Sequence, residues 1–418
     1  MKMVAFALAG CLVASSAIAQ SPSDKASLAN RLPQVRSTLR VDADGLHGTG
    51  ASVLSYAIRQ ARYVLIGEDH LSREIPLFTT GVCRLMAPDG LDAFAVEIGP
   101  EAARFVNSTL RRADRLDRVA SFMRSHPDAF AFQNGRDESD MAATCARMAG
   151  PDFSIWGLDQ EFYGASGYLL EQMLAARPGP RARSAIEQLV VADRTATQKA
   201  LASGSPGDLL LYSVSDQRLR DAGVAIAQDG GRRTQDLFGA LMETRAIYLG
   251  QNTDGFASNG RRARLMKRTL VRYLEQRSRP SRVLFKFGDV HMAKGVNGLG
   301  QRDLGNFVAE RAEGEGVSSL HIAVYGAKGV HALYGGVGRQ ARQEPFVLTD
   351  DADYAWLKDA LPRPGGDEAD KDWTVIDLRP LRADPPSDAS PAWRNVIRRY
   401  DLVVMAPELT PSSLVGSR

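Results

Sequence analysis

Two of the six histidines in this chain stand in the same local setting, a short and largely apolar run, then glycine, two further residues and histidine. Residues 63–66 (Tyr-Val-Leu-Ile) lead into Gly67-Glu68-Asp69-His70, and residues 283–287 (Val-Leu-Phe-Lys-Phe) lead into Gly288-Asp289-Val290-His291. A short apolar run ended by glycine reads as a strand buried on both faces, and such strands belong to parallel sheets covered by helices. In open parallel sheets, the residues just beyond the carboxyl ends of the strands line the ligand crevice. The repeated pattern therefore constrains the fold and says where its chemistry should lie.

The same pattern recurs along the chain. Residues 94–98 are closed by Gly99-Pro100, and residues 153–158, 320–325, 374–378 and 401–405 form further apolar runs. Helical periodicity fills the gaps, from about 73 to 86 and on to about 149. This alternation predicts an α/β fold, a mostly parallel central sheet flanked by helices. Residues 165–278 carry helical patterns broken by Pro-Gly-Pro at 178–180 and Gly-Ser-Pro-Gly at 204–207, which predicts a large helical insertion. The single α/β domain is expected over residues 51–410. Residues 20–50 are weakly patterned and are expected to form a flexible leader.

Residues 1–19 combine Lys2, a short apolar core and Ala17-Ile18-Ala19, the marks of a cleaved signal peptide and hence of a periplasmic or secreted protein. Leu8-Ala9-Gly10-Cys11 offers a lipoprotein signal as the alternative. The apolar stretch is too short for a membrane span. In an oxidising compartment Cys83 and Cys145 can pair, and each equally suits a buried free thiol. Fifty-two basic against 49 acidic residues give a formal charge of +3, which does not argue for a nucleic-acid partner. No Gly-x-Ser-x-Gly elbow supports a serine α/β-hydrolase, and no Gly-x-Gly-x-x-Gly or Walker loop supports a nucleotide cofactor.

Four of the strands deliver polar residues at their ends: Glu68, Asp69 and His70; Glu97; Asp159, Gln160 and Glu161; Asp289 and His291. Histidine changes charge near neutral pH and can be base, acid or ligand, while a carboxylate beside it can orient the ring. Glu97 ends an apolar run, so desolvation is expected to raise its pKa and suit it to proton transfer. Singly, such residues can be helix caps, a role natural to Asp69 and Asp159. As a set on one rim, Glu68, His70, Glu97, Asp159 and His291 form the candidate catalytic group. Between Arg261 and Arg282 stand nine basic residues and one acid, Glu275, with Met266, Leu270, Tyr273 and Leu274 as an apolar stripe. That reads as a solvated helix face from which one arginine could reach an anionic substrate or an oxyanion. His126 and His331 read as surface residues, and His321 as a satisfied core histidine.

These motifs resemble those of the erythromycin esterase-like proteins. Gly67-Glu68-Asp69-His70-Leu71-Ser72-Arg73-Glu74 is similar to the family's opening, and Val96-Glu97 to the strand that follows it. Trp156-Gly157-Leu158-Asp159-Gln160 looks like its Gly-x-Asp segment, and Gly288-Asp289-Val290-His291 like its later histidine motif. The resemblance spans about residues 60–330, with an echo at Tyr400-Asp401-Leu402-Val403-Val404. Two Gly-x-x-His motifs and a glutamate also mark the TIKI/TraB metalloprotease-like and ChaN-like haem-binding branches, whose spacing of His70 after Glu68 is closer to that seen here. The resemblance implies a hydrolase for a small-molecule substrate, with His70 or His291 as general base and Glu68 and Glu97 orienting it. It further implies a divalent metal held by His70, Glu97 and His291 as one form of the site. The alternative it implies is a ChaN-like uptake protein holding non-covalent haem or iron.

Overall fold

The computed structural model describes residues 26–361 and 371–416. The signal segment read from residues 1–19, and Cys11 with it, lies outside them. The strands are β1 (Arg36–Asp42), β2 (Gly45–His47), β3 (Ala61–Glu68), β4 (Ala93–Val96), β5 (Ser154–Gly157), β6 (Val283–Gly288), β7 (Ser318–Gly326), β8 (Lys328–Leu333), β9 (Arg342–Val347), β10 (Trp373–Asp377) and β11 (Leu402–Ala406). Nine of them form one sheet in the order β2-β1-β10-β11-β7-β3-β6-β4-β5, and β8 and β9 form a separate hairpin. From β11 to β5 every neighbouring pair is parallel, while β10 runs antiparallel to both β11 and β1. The fold is α/β with a mostly parallel sheet flanked by helices, as the sequence predicts.

The apolar runs are continuous because both faces of the inner strands are covered. In β3, Val64 and Ile66 join one buried cluster while Tyr63 and Leu65 join another across the sheet. Successive side chains of a strand point to opposite faces, so such a strand has no solvent side to mark with polar residues. Lys286 breaks the rule in β6. It lies on the face of Leu284, which packs in the first cluster beneath the helix Arg136–Ala149. Cys83 of the helix Glu74–Met86 and Cys145 of Arg136–Ala149 are joined by a disulfide within that cluster.

Between β5 and β6 the chain forms the helices Ser166–Ala175, Pro180–Ser203, Leu210–Ser213, Asp216–Asp229, Gly231–Gln251 and Gly255–Glu275. Most of them share a buried cluster of their own, including Leu169, Ile186, Leu210, Leu219 and Leu237. The sequence breaks act as read: Pro180 opens a helix at its first position, and Gly204 closes that helix in the left-handed conformation at φ 77°. Among the described residues no helix is long and apolar enough to cross a membrane.

One expectation is overturned. From Leu28 onward the leader is ordered, as the helix Leu28–Val35 followed by β1 and β2. β1 pairs with β10 from Arg36↔Ile376 to Leu39↔Trp373, and Leu39 is fully buried. The polar alternation of β1, with little besides Leu39 turned inward, hid a strand near the sheet's edge whose partner lies over 300 residues away.

Candidate active site

Sheet register brings the two histidine motifs side by side. β3 and β6 pair with Gly67 opposite Phe287 and Glu68 opposite Gly288, and β4 flanks β6 with Val96 opposite Lys286. Glycine is needed at both motif heads for close approach. A Cβ on Gly67 would stand 2.8 Å from Asp289 Cα, and one on Gly288 would meet His70 Nε2 at 3.2 Å and Glu97 Oε2 at 3.5 Å.

Glu97 is the hub. Its Oε2 accepts the Gly288 N–H at 2.7 Å and lies 3.2 Å from His70 Nε2. Its Oε1 accepts from Arg262 Nη2 at 2.6 Å and lies 3.6 Å from His291 Nε2. His70 Nδ1 is 2.9 Å from Glu68 Oε1, and its ring stacks on Phe132 with centroids 3.8 Å apart. Arg262 Nε donates to Asp159 Oδ1 at 3.0 Å, and its Nη2 also reaches Oδ2. All five candidate residues, Glu68, His70, Glu97, Asp159 and His291, thus belong to one connected network.

Behind them stand residues that sequence reasoning did not place there. His291 Nδ1 is 2.8 Å from Asp303 Oδ2, whose other donors are Asn297 Nδ2 at 3.1 Å and, to Oδ1, the Leu304 N–H at 2.7 Å. With two such donors already, Asp303 acts as acceptor, so His291 donates to it from Nδ1. On the other side the buried Lys286 ammonium bridges Glu68 and Glu138. A lysine inside an apolar strand run was the available signal. Arg262 belongs to the basic segment read as a solvated helix face, and it is turned inward instead. It reaches carboxylates in the network itself, while Met266 and Leu270 on the same helix are buried as the stripe predicts.

The electrostatics reverse one expectation. Burial alone pushes the Glu97 carboxyl up, but His291, His70 and Arg262 together hold it well below the usual carboxylate range. Burial likewise opposes charge on His70, yet the Glu97 and Glu68 carboxylates raise its pKa to about 10. His70 is therefore an imidazolium at neutral pH, donating from both nitrogens. Burial also opposes the Glu68 charge, and Lys286 and His70 overcome it to keep that carboxyl ionised. Glu138, with less cationic help, is pushed by burial to about 7.

These donors do not fit a shared metal ion. Both His70 nitrogens face carboxylates, and both Glu97 oxygens accept from cationic or N–H donors. Among the described residues no group of three or more histidine, cysteine, aspartate or glutamate side chains is arranged to hold an ion.

Of the three remaining histidines read from the sequence, His321 is as expected and the other two are not. His321 is fully buried and satisfied, with Nδ1 2.8 Å from Met292 O and Nε2 3.0 Å from Ser319 Oγ. His126 is no surface residue. Its side chain is 11 % exposed, packed against Phe122 and Tyr168 and paired with Glu171. His331 stacks on Phe346 and pairs with Asp69 at 2.7 Å, contacts made by the β8–β9 hairpin, which had no periodic signal. Glu74, part of the family-like opening, bonds none of these residues and accepts from Thr410.

No protein-family model and no curated protein matches this sequence. Solved structures do. A mutant of erythromycin esterase EreC in its open conformation superposes with a TM-score of 0.64 at 15% identity, covering 91% of this chain and 99% of that one. A succinoglycan biosynthesis protein gives 0.60 at 12% identity, with 92% and 97% covered. A Bacillus cereus protein gives 0.57 at 11%, with 92% and 98% covered. The chain has an erythromycin esterase-like fold over nearly its whole length.

Proposed function

We propose that this chain, which carries the erythromycin esterase-like fold, is an exported hydrolase that activates water without a resident metal. The observation that carries this reading is the Glu97 carboxylate set between two imidazoles and the Arg262 guanidinium at the carboxyl edge of the sheet. His291, oriented through Nδ1 by Asp303, is the general base: its Nε2 takes a proton from water while Asp303 stabilises the imidazolium that forms. Glu97 stays ionised and fixes the His70 ring. His70 and Arg262 are cations beside the reacting centre and stabilise negative charge that develops on a carbonyl oxygen as water attacks. The carbonyl of an ester or lactone suits that arrangement. The substrate of this reading is a small molecule, and a cavity of about 1000 Å³ meets the network at Asp159 alone. Export is supported by the signal-like opening sequence and by the disulfide, which persists in oxidising compartments.

The test is hydrolysis of a panel of esters and lactones by the purified mature protein, before and after chelation. We expect turnover that survives chelation and falls by about 10³-fold or more in His291→Ala and in His70→Ala, the double variant being little worse than either. Turnover lost to chelation, or full turnover in His291→Ala, overturns this mechanism. A Soret band on haem titration, without turnover, favours the ChaN-like alternative. Mass spectrometry of the exported protein tests the signal: a chain starting near Gln20 agrees, and a lipidated Cys11 does not.

A further inference from the structure

A second cavity, of about 310 Å³, adjoins Glu68 beneath the β8–β9 hairpin. Its walls join the carboxylates of Asp69, Asp289 and Asp351 to the rings of Tyr325, Tyr354 and Phe346, and among the described residues no lysine or arginine lines it. The rings are fixed by their neighbours. Tyr325 donates to Asp289 Oδ2 at 2.9 Å and packs edge to face on Tyr354 with centroids 5.3 Å apart. Phe346 is held by the His331 ring stacked on it at 3.7 Å, and His331 in turn pairs with Asp69. Glu68 completes the wall. Its Oε1 accepts from His70 and Lys286, whereas its Oε2 is buried without a hydrogen-bond partner.

We propose that this cavity binds an organic ammonium group, a protonated or quaternary amine. Carboxylates supply the countercharge, and aromatic faces attract a cation through the ring quadrupole while packing on its alkyl groups. A metal ion would make no use of the rings, and among the described residues no three or more histidine, cysteine, aspartate or glutamate side chains are grouped to hold one. Burial pushes the Asp69 and Asp289 carboxyls up, against the pull of His331 and His70 on Asp69 and of the Tyr325 hydrogen bond on Asp289, and a cation in the cavity would offset that burial. The volume is at the small end for ligand cavities, so it takes a small amine or one substituent of a larger molecule. If the adjoining site is the hydrolase proposed above, that substituent belongs to its substrate, and this part of the inference rests on that reading. The binding itself does not.

Choline and its uncharged isostere 3,3-dimethyl-1-butanol separate charge from shape. Titrated against the full mature chain by NMR, choline should bind at least about tenfold more tightly than the alcohol. Asp351→Asn and Tyr354→Leu, each checked for an unchanged melting temperature, should each weaken choline several-fold, and His291→Ala should leave its binding intact. Equal affinity for the two compounds, no choline binding, or choline binding untouched by both cavity variants overturns the proposal. If choline binds as expected and no ester or lactone is hydrolysed, only the hydrolase reading falls. If hydrolysis proceeds while choline fails to outbind the alcohol, only the ammonium site falls.

Discussion

His70 shows how far one side chain's chemistry is set by its surroundings. Free imidazole titrates near 6.5, and in this site Glu97 and Glu68 outweigh burial and carry it to about 10. A group whose pKa rises on folding stabilises the fold while protonated. Its contribution is complete below about pH 6.5 and is lost as pH climbs to about 10. Glu161 and Glu138, raised by burial to about 8 and about 7, add losses of the same sign at lower pH, so the interval from 8 to 10 singles out His70. Urea denaturation should show wild-type stability still falling across that interval, and His70→Gln falling less. A parallel slope in the two proteins would mean that His70 is not the imidazolium described. Arg262 poses a sharper test because its fork serves two carboxylates at once, Glu97 and Asp159. Lysine keeps the charge and loses the fork, so Arg262→Lys should cut turnover by about tenfold or more. Arg262→Met leaves two buried carboxylates without their partner and should cost about 3–5 kcal/mol of stability by calorimetry.

At the scale of elements, the disulfide joins the helix that follows the first histidine motif to the helix that carries Glu138. Its closed loop spans a sequence separation of 62, which the chain-entropy model values at about 4 kcal/mol. Cys83→Ala combined with Cys145→Ala should lower the unfolding free energy by roughly that amount in urea titrations. Because both cysteines are fully buried, reductant should act on the wild type only once it unfolds. The elements themselves show why some were legible and others not. β3, β4, β5, β6, β7, β10 and β11 are apolar on both faces and announced themselves as unbroken runs. β1, β8 and β9 bury one face or little of either, and their mixed sequences carry no such mark. Glu68, His70, Glu97, Asp159 and His291 were legible because they follow such runs directly. Lys286 was visible only as an anomaly within one. Asp303 and Glu138 gave no local signal, since Glu138 reaches the network from a helix and Asp303 from the cap of another, and only the fold defines where those helices lie.

For the molecule as a whole, the chain's two ends complete what its middle builds. The residues before β3 extend the sheet beyond β10, and the segment after β11 returns to the mouth of the site. Thr410 O accepts the Arg73 N–H at 2.9 Å, and the Ser412 N–H donates to Leu71 O at 2.8 Å. Further on, Ser413 O accepts the Arg136 N–H at 2.8 Å, and the Val415 N–H donates to Asn134 O at 2.7 Å. These bonds grip two loops that flank His70. Each loop holds a non-glycine residue in the left-handed region, Leu71 at φ 63° beside the histidine and Phe132 at φ 62° stacked on its ring. Such conformations cost on the order of 1 kcal/mol or more each and persist only where surrounding contacts enforce them. Here the enforcing contacts come from a segment more than 270 residues further along the chain than Phe132, which is why no local reading could connect the two. A chain ending at Thr410 keeps β11 and the buried Leu409 but loses the bonds from Ser412, Ser413 and Val415. The two loops should then relax toward ordinary backbone geometry and release the ring that Phe132 holds in place. We expect the melting temperature to fall by only a few degrees, about 1–2 kcal/mol for a chain of this size, while turnover on the ester and lactone panel falls by at least about tenfold. The His70 ring resonances, followed by NMR, should broaden or shift in the shortened chain while those of the core residue His321 stay in place. Full turnover with unchanged His70 resonances would show that the loops hold their shape without the returning segment.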